Sequence, residues 1–267
     1  VPISADSSPN IKWPLPEGEP AKKVEGIFPE DMLEEINLAL AEKANWGPGS
    51  ESLENPAQYH TMTGRWVTEI DLPQEVWDHL DDLAKKNWKK QGLRIKNIWF
   101  ARYQKYKGIT PYLWEHMDQP GTQFTMDICI DTHGIDSWGL LVDGERFEEA
   151  VNSGVFFMGQ QQTHARPPYP DVDEDAYVVL MFVLFVSPEH WMYDLSAYDD
   201  KDHEELYRRM AEYKLDGDIR YYEHIGHSPR LTGIPESNYE CNPGGCGQCN
   251  IVAEDFTDHI PGYVRLK

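Results

Sequence analysis

Long apolar runs are what this sequence most lacks. The longest, Ala176–Val186, is 11 residues, far short of the roughly 20 that a membrane-spanning helix needs, so no membrane partner is expected. Bases are scarce as well: Lys plus Arg is 24 against 46 for Asp plus Glu, a formal charge of −22. That balance disfavours a nucleic-acid backbone or an anionic lipid surface, because both demand a basic patch. It mildly favours a cationic substrate. Cysteine is limited to four residues, Cys129 alone and Cys241, Cys246 and Cys249 crowded together. This is not the spacing of a secreted disulfide framework. Residues Val1–Asn10 have neither a basic head nor an apolar stretch, so they do not read as a signal peptide. A reducing, cytoplasmic setting is expected. A Gly-x-Ser-x-Gly elbow and a phosphate-cradling glycine loop are both missing, which removes the support for triad hydrolysis and for nucleotide binding.

What is present suits a packed globule: 267 residues, 40% hydrophobic and 12% aromatic, enough to bury a core without staples. Residues 1–28 are rich in Pro and polar side chains and read as a tail. Pro29, Glu30 and Asp31 mark the start of a helix, with Leu33, Ile36 and Leu40 as its apolar stripe. A second helix is predicted from Pro73 to Gln91, with Val76, Leu80, Leu83 and Trp88 on one face. Residues 47–64 are turn-rich and aperiodic. Beyond Gly92 the texture becomes strand-like: Ile95–Tyr106, Tyr112–His116, Gln123–Asp131, Trp138–Val142, Val155–Met158 and Ala176–Val186. Within these, Phe124, Met126, Ile128 and Ile130 alternate with polar or small residues, and Asp143-Gly144 marks a hairpin bend. So many short strands predict a mainly β (α+β) sandwich or barrel with the two helices outside. The expected organisation is a tail, helices and β core over 1–186. An extension over 187–267 with a helix near 200–214 packs on the same domain.

His116-Met117-Asp118 closes one of the strands, and residues two apart on a strand share a face. His164 follows several strands later. Two histidines and one carboxylate form the facial triad of non-haem Fe(II) oxygenases, which leaves coordination positions open. On spacing alone, a surface pair at His116 and Asp118 and a satisfied core histidine at His164 are equally open readings.

The order of parts resembles the prolyl-4-hydroxylase-like family of Fe(II)/2-oxoglutarate-dependent dioxygenases. Arg102-Tyr103 to Gly108 and then His116-Met117-Asp118 resemble that family's approach to its iron. Trp138–Glu145 looks like its distal hairpin, and Ser153–Phe157 leads to His164 as its strand leads to the distal histidine. The resemblance spans Ile27–Val186. It implies a double-stranded β-helix, the jelly-roll or cupin-like core, with Fe(II) on His116, Asp118 and His164 and with 2-oxoglutarate as cosubstrate. It also implies an enzyme that hydroxylates an aliphatic C–H of a small molecule, amino acid or peptidyl residue, proline-like substrates included. Because Asp118 is a carboxylate, hydroxylation is favoured over halogenation, where relatives carry a small residue at that position.

One departure concerns the cosubstrate. The family places a base about ten residues after the distal histidine, and here the sequence reads Asp173-Glu174-Asp175-Ala176-Tyr177-Val178. A dicarboxylate in a dry cleft needs a cation. Arg166 is the leading substitute, Tyr103 offers a hydroxyl, and Arg102 is a second candidate that must face away from Tyr103. Gln123 and Gln160–Gln162 are neutral donors. Separately, Cys241, Cys246 and Cys249 have knuckle-like spacing that suits a structural zinc, against the plainer reading of free thiols. Two rivals stand beside the oxygenase. One is a cupin-like metal protein without 2-oxoglutarate; the other is a non-catalytic binding module on the same fold.

Overall fold

The computed structural model describes residues 19–194, apart from 54–55, 62, 117, 119–121 and 191–192, and gives Glu51, Trp114 and His116 by their backbone. The expected helix near 200–214 and the cysteine loop lie outside the described residues. Among the described residues eleven strands form two sheets. In chain order they are β1 Lys22–Glu25, β2 Gln58–His60, β3 Arg65–Thr68, β4 Arg94–Gln104, β5 Leu113–His116, β6 Phe124–His133, β7 Leu140–Val142, β8 Glu145–Phe147, β9 Ser153–Phe157, β10 His164–Arg166 and β11 Tyr177–Val186. The large sheet runs β1-β9-β6-β11-β4-β3-β2 and the small one β5-β10-β7-β8.

The last eight strands define the architecture. The first, third, sixth and eighth of them (β4, β6, β9, β11) lie in one sheet, and the second, fourth, fifth and seventh (β5, β7, β8, β10) in the other. That distribution is the double-stranded β-helix, a jelly roll of two Greek keys. The fold expected from the resemblance is therefore the fold found.

Helices α1 (Glu30–Lys43) and α2 (Gln74–Trp88) cover the outer face of the large sheet. Their stripes, Ile36 and Leu40 from α1 and Val76, Leu80, Ala84 and Trp88 from α2, pack with Phe100, Met126, Ile128, Phe156, Met181 and Val183. Pro29 and Pro73 sit at the N-caps, one position before the first helical residue. The inner face carries Ala101, Tyr103, Cys129, Val178, Leu180 and Phe182 against Trp138 and Tyr169. Thus β11 is buried on both faces, which is why its sequence reads as an unbroken apolar run without alternation.

Five strands lie outside the six predicted stretches; two of them, β8 beyond the expected hairpin bend and β10 at His164, adjoin features already read from the sequence. Strand β1 lies within the predicted tail and pairs with β9 at the sheet edge. Strand β2 lies within the aperiodic stretch 47–64 and β3 just beyond it, and both extend the large sheet beyond β4; three and four residues are too short to show a period. The bend Asp143-Gly144 has φ of 49° and 81°, the left-handed pair that a tight two-residue hairpin demands, and it joins β7 to β8.

The helix cover contributes through burial, so Leu80, fully buried, and Leu38, 63% exposed, should respond differently. Leu80→Ala is expected to lower unfolding free energy by about 2–5 kcal/mol, and Leu38→Asp by less than about 0.5 kcal/mol. Urea denaturation of the two variants checks both.

Candidate metal centre

Strand β5 lies antiparallel to β10, and His116 and His164 are register partners across that ladder. Directly opposed residues are the closest cross-strand neighbours a sheet provides. His116 is thus brought to His164 by backbone pairing, 48 positions apart in the chain. His164 is 4% exposed and packs against the Phe157 ring, centroids 4.7 Å apart. Its Nδ1 lies 3.1 Å from the Gln162 carbonyl. An imidazole that donates Nδ1–H to a carbonyl keeps its lone pair on Nε2, the tautomer of a metal ligand.

That Nε2 faces Asp118, with Oδ1 at 3.5 Å. Asp118 is fixed at both ends. Its backbone N–H donates to the Gly159 carbonyl at 2.8 Å, and its Oδ2 accepts a bond from the Thr125 hydroxyl at 3.1 Å. Gly159 is dictated by this approach. A Cβ there would stand 2.1 Å from Asp118 Oδ2 and 2.7 Å from Thr125 Oγ1. Two donors each about 2.1 Å from one ion stand roughly 3–3.5 Å apart, so the imidazole and carboxylate are spaced to share a cation. Burial opposes charge on the His164 ring, but the nearby carboxylate of Asp118 outweighs it and raises the pKa. A divalent ion bound between the two competes with that proton. Among the described residues no three His, Cys, Asp or Glu side chains converge; the third expected ligand, His116, is placed by its backbone.

Arg166, two residues beyond His164, is fully buried. Its Nη2 donates to Asp127 Oδ2 at 2.6 Å and to Glu149 Oε2, and its Nη1 donates to the Trp138 carbonyl at 2.9 Å. The guanidinium also lies over the Trp138 ring, 5.1 Å from its centroid. Burial pushes the carboxyl pKa values of Asp127 and Glu149 up, with Arg166 pulling them back only in part. Two carboxyls therefore already share this one cation.

Tyr103 is fully buried on the inner face of β4, edge-on to Trp138 at 4.9 Å. Arg102 takes the opposite face, its guanidinium 4.0 Å from the Tyr177 ring centroid. Gln123 Oε1 accepts the Ser187 N–H at 2.8 Å, and Gln160 Oε1 lies 3.3 Å from His190 Nε2. The structure thus sets Asp118 beside His164 with the His116 backbone opposite in register, buries Tyr103 and Arg166 in the barrel, and leaves Arg102 on the other face of β4. The supporting groups Thr125, Gly159, Asp127 and Glu149 were not anticipated. The polar half of the β6 alternation, Thr125 and Asp127, was the available signal for two of them.

No family model matches this sequence, and no curated protein matches it either. Solved structures similar to the chain include a prolyl-4-hydroxylase from Pseudomonas putida, 14% identical over 61% of this chain and 91% of that one, TM-score 0.42. Another is an oxidoreductase of the 2OG-Fe(II) oxygenase family from Burkholderia pseudomallei, 12% identical over 64% and 85%, TM-score 0.46. A third is HygX from Streptomyces hygroscopicus with nickel, 2-oxoglutarate and hygromycin B bound, 10% identical over 67% and 85%, TM-score 0.45. The fold assignment rests on the strand order.

Gly159→Ala is expected to weaken Fe(II) or Co(II) binding by about 10- to 100-fold, the range seen when the groups that orient ligands are disturbed. Metal competition with a chelating dye reads this, with circular dichroism to show the fold intact. Arg166→Met leaves two buried carboxyls without their cation and is expected to cost about 3–5 kcal/mol of stability, measured by urea denaturation.

Proposed function

We propose that this chain is a non-haem Fe(II)/2-oxoglutarate-dependent oxygenase that hydroxylates an aliphatic C–H. The observation that carries the reading is the Nε2 of His164 set 3.5 Å from the Asp118 carboxylate, with His116 opposite in register, between the sheets of a double-stranded β-helix. His116, Asp118 and His164 would hold the metal. Iron with the keto acid bound supplies oxygen activation and the oxidative decarboxylation that drives hydroxylation. The protein's part is positional. Gln162 fixes the His164 tautomer, Thr125 and Gly159 aim Asp118, and Phe157, Trp138 and Tyr103 line a water-poor interior. Tyr103 can donate its hydroxyl proton to a carboxylate oxygen. The core would lie within residues 1–186, with 187–267 as an extension of the same domain, in a cytoplasmic protein.

The substrate class is a small molecule, an amino acid or a peptidyl residue such as proline. The charge of −22 supports a cationic substrate over nucleic acid. The inner face of β11 presents Val178, Leu180 and Phe182 and no base, the one feature that favours a cupin-like metal protein without 2-oxoglutarate.

Anaerobic addition of Fe(II) to the metal-free protein with 2-oxoglutarate is expected to give a saturable visible charge-transfer band, absent in His164→Ala. Succinate should then form on admission of oxygen. Tight iron binding without the band would favour the cupin-like reading, and absence of iron binding would leave a binding module.

A further inference from the structure

The missing base on β11 has a replacement two strands away, and sheet register leads to it. Val178 pairs with Tyr103 of β4, Tyr103 with Arg65 of β3, and Arg65 with His60 of β2. Directly opposed residues share a face, so His60, Arg65, Tyr103 and Val178 form one row across the inner face of the large sheet. Arg65 lies along this row: its Nη1 donates to the Tyr103 hydroxyl at 2.7 Å. Its guanidinium carbon stands 5.2 Å from the Trp99 ring centroid and 5.6 Å from that of Tyr103. Two aromatic faces thus hold the fork in place, which lowers the entropy lost on binding a planar anion.

This cation differs from Arg166 in its described partners. Among the described residues no carboxylate pairs with Arg65, whereas Arg166 carries both Asp127 and Glu149. Buried polar atoms beside it lack hydrogen-bond partners: Arg65 Nε, both ring nitrogens of His60 and the Thr63 hydroxyl. Such groups are costly to leave unsatisfied in a native interior. Their concentration in the β2–β3 hairpin, around an unneutralised guanidinium, is what a site for an anion requires. Because Tyr103 accepts from Arg65 through its oxygen, its own proton is left to donate to the same anion. Burial, reinforced by Arg65, lowers the His60 pKa to about 3, so that ring is neutral and does not repel a carboxylate.

We infer that Arg65, on a strand outside the eight-stranded core, together with the Tyr103 hydroxyl anchors the distal carboxylate of the keto acid. The inference rests on the oxygenase reading for the identity of the ligand and on the row of His60, Arg65 and Tyr103, with its partnerless buried atoms, for its place. A keto acid without the second carboxylate, 2-oxobutyrate, is the discriminating probe.

In the Fe(II)-loaded protein under anaerobic conditions, Arg65→Gln is expected to raise the Kd for 2-oxoglutarate by about 10- to 100-fold. The Kd for 2-oxobutyrate should stay within about twofold, because the lost bonds go only to the distal carboxylate. Arg65→Lys should recover part of the preference, and Tyr103→Phe should lose a smaller part. Melting temperature near that of the wild type shows that the hairpin has folded. An unchanged preference for 2-oxoglutarate in Arg65→Gln overturns the inference, as does a loss confined to Arg166→Gln. If the wild type forms no charge-transfer band, the oxygenase reading fails, and calorimetry of glutarate with metal-free protein decides Arg65 separately. Glutarate binding that disappears in Arg65→Gln keeps the anchor; no binding, or binding indifferent to Arg65, removes it.

Discussion

The hydrogen bond from His164 Nδ1 to the Gln162 carbonyl at 3.1 Å determines what the barrel interior can do. It fixes the tautomer, and with it the lone pair that faces Asp118. The bond is itself held in place by a chain of others. Gln162 Oε1 accepts the Met158 N–H at 2.8 Å, and its Nε2 donates to Asp143 Oδ2 at 3.0 Å. The other oxygen of Asp143 accepts the Thr163 N–H at 2.9 Å. A residue in the left-handed bend of the β7–β8 hairpin therefore pins the turn that leads into β10. The imidazole's orientation is set by this short bonded turn rather than by loose packing, the condition under which a candidate metal site keeps its shape.

The second constraint is that the large sheet has no solvent face over much of its width. Helices α1 and α2 claim the outer side, and the small sheet claims the inner. Polar residues on the central strands consequently point into the protein. Thr125 and Asp127 are each 2% exposed, and an alternating strand whose polar half is interior must satisfy that half by chemistry. Thr125 does so on Asp118, and Asp127 on Arg166. A buried guanidinium shared by two carboxyls contributes little net stability over apolar packing, but it resists removal of any one partner. It also holds β6, β10 and the segment after β8 in one geometry around the candidate metal centre.

Legibility followed from these constraints. The helices could be read because Ile36, Leu40, Val76 and Leu80 face only one side. Strand β6 kept a two-residue period, and its polar half turns out to face the barrel interior, so the period revealed the strand without saying which way Thr125 and Asp127 point. In β11 burial on both faces erased the period altogether. The order of His116, Asp118 and His164 was visible because the topology brings β5 and β10 together whatever lies between them. Strands β2 and β3 left no trace, being three and four residues long, the first within a turn-rich segment and the second just past its end. Arg65 was invisible for the same reason. No spacing relates it to Tyr103 or Val178, and only the register of three adjacent strands does.

Charge ties these parts together. A chain of net charge −22 presents a repulsive field to a dicarboxylate, and its interior must reverse that field locally. The candidate metal centre holds Asp118, and the ion trio holds two carboxyls to one guanidinium, so neither supplies surplus positive charge. Protonation of one member of the Asp127–Glu149 pair, favoured by the burial that raises both pKa values, brings the trio only to neutrality. A divalent metal can compensate the keto-acid end of such a ligand. The far carboxylate still requires a cation not already neutralised, within the same dry interior. Arg65 meets that requirement because β3 lies beyond the core. A guanidinium that enters from the sheet's flank can reach the interior row while remaining clear of Asp127 and Glu149, which lie near β10. On this view the absent base of β11 and the two unforeseen strands are one feature: the sheet was widened at the edge where the anchor had to be supplied.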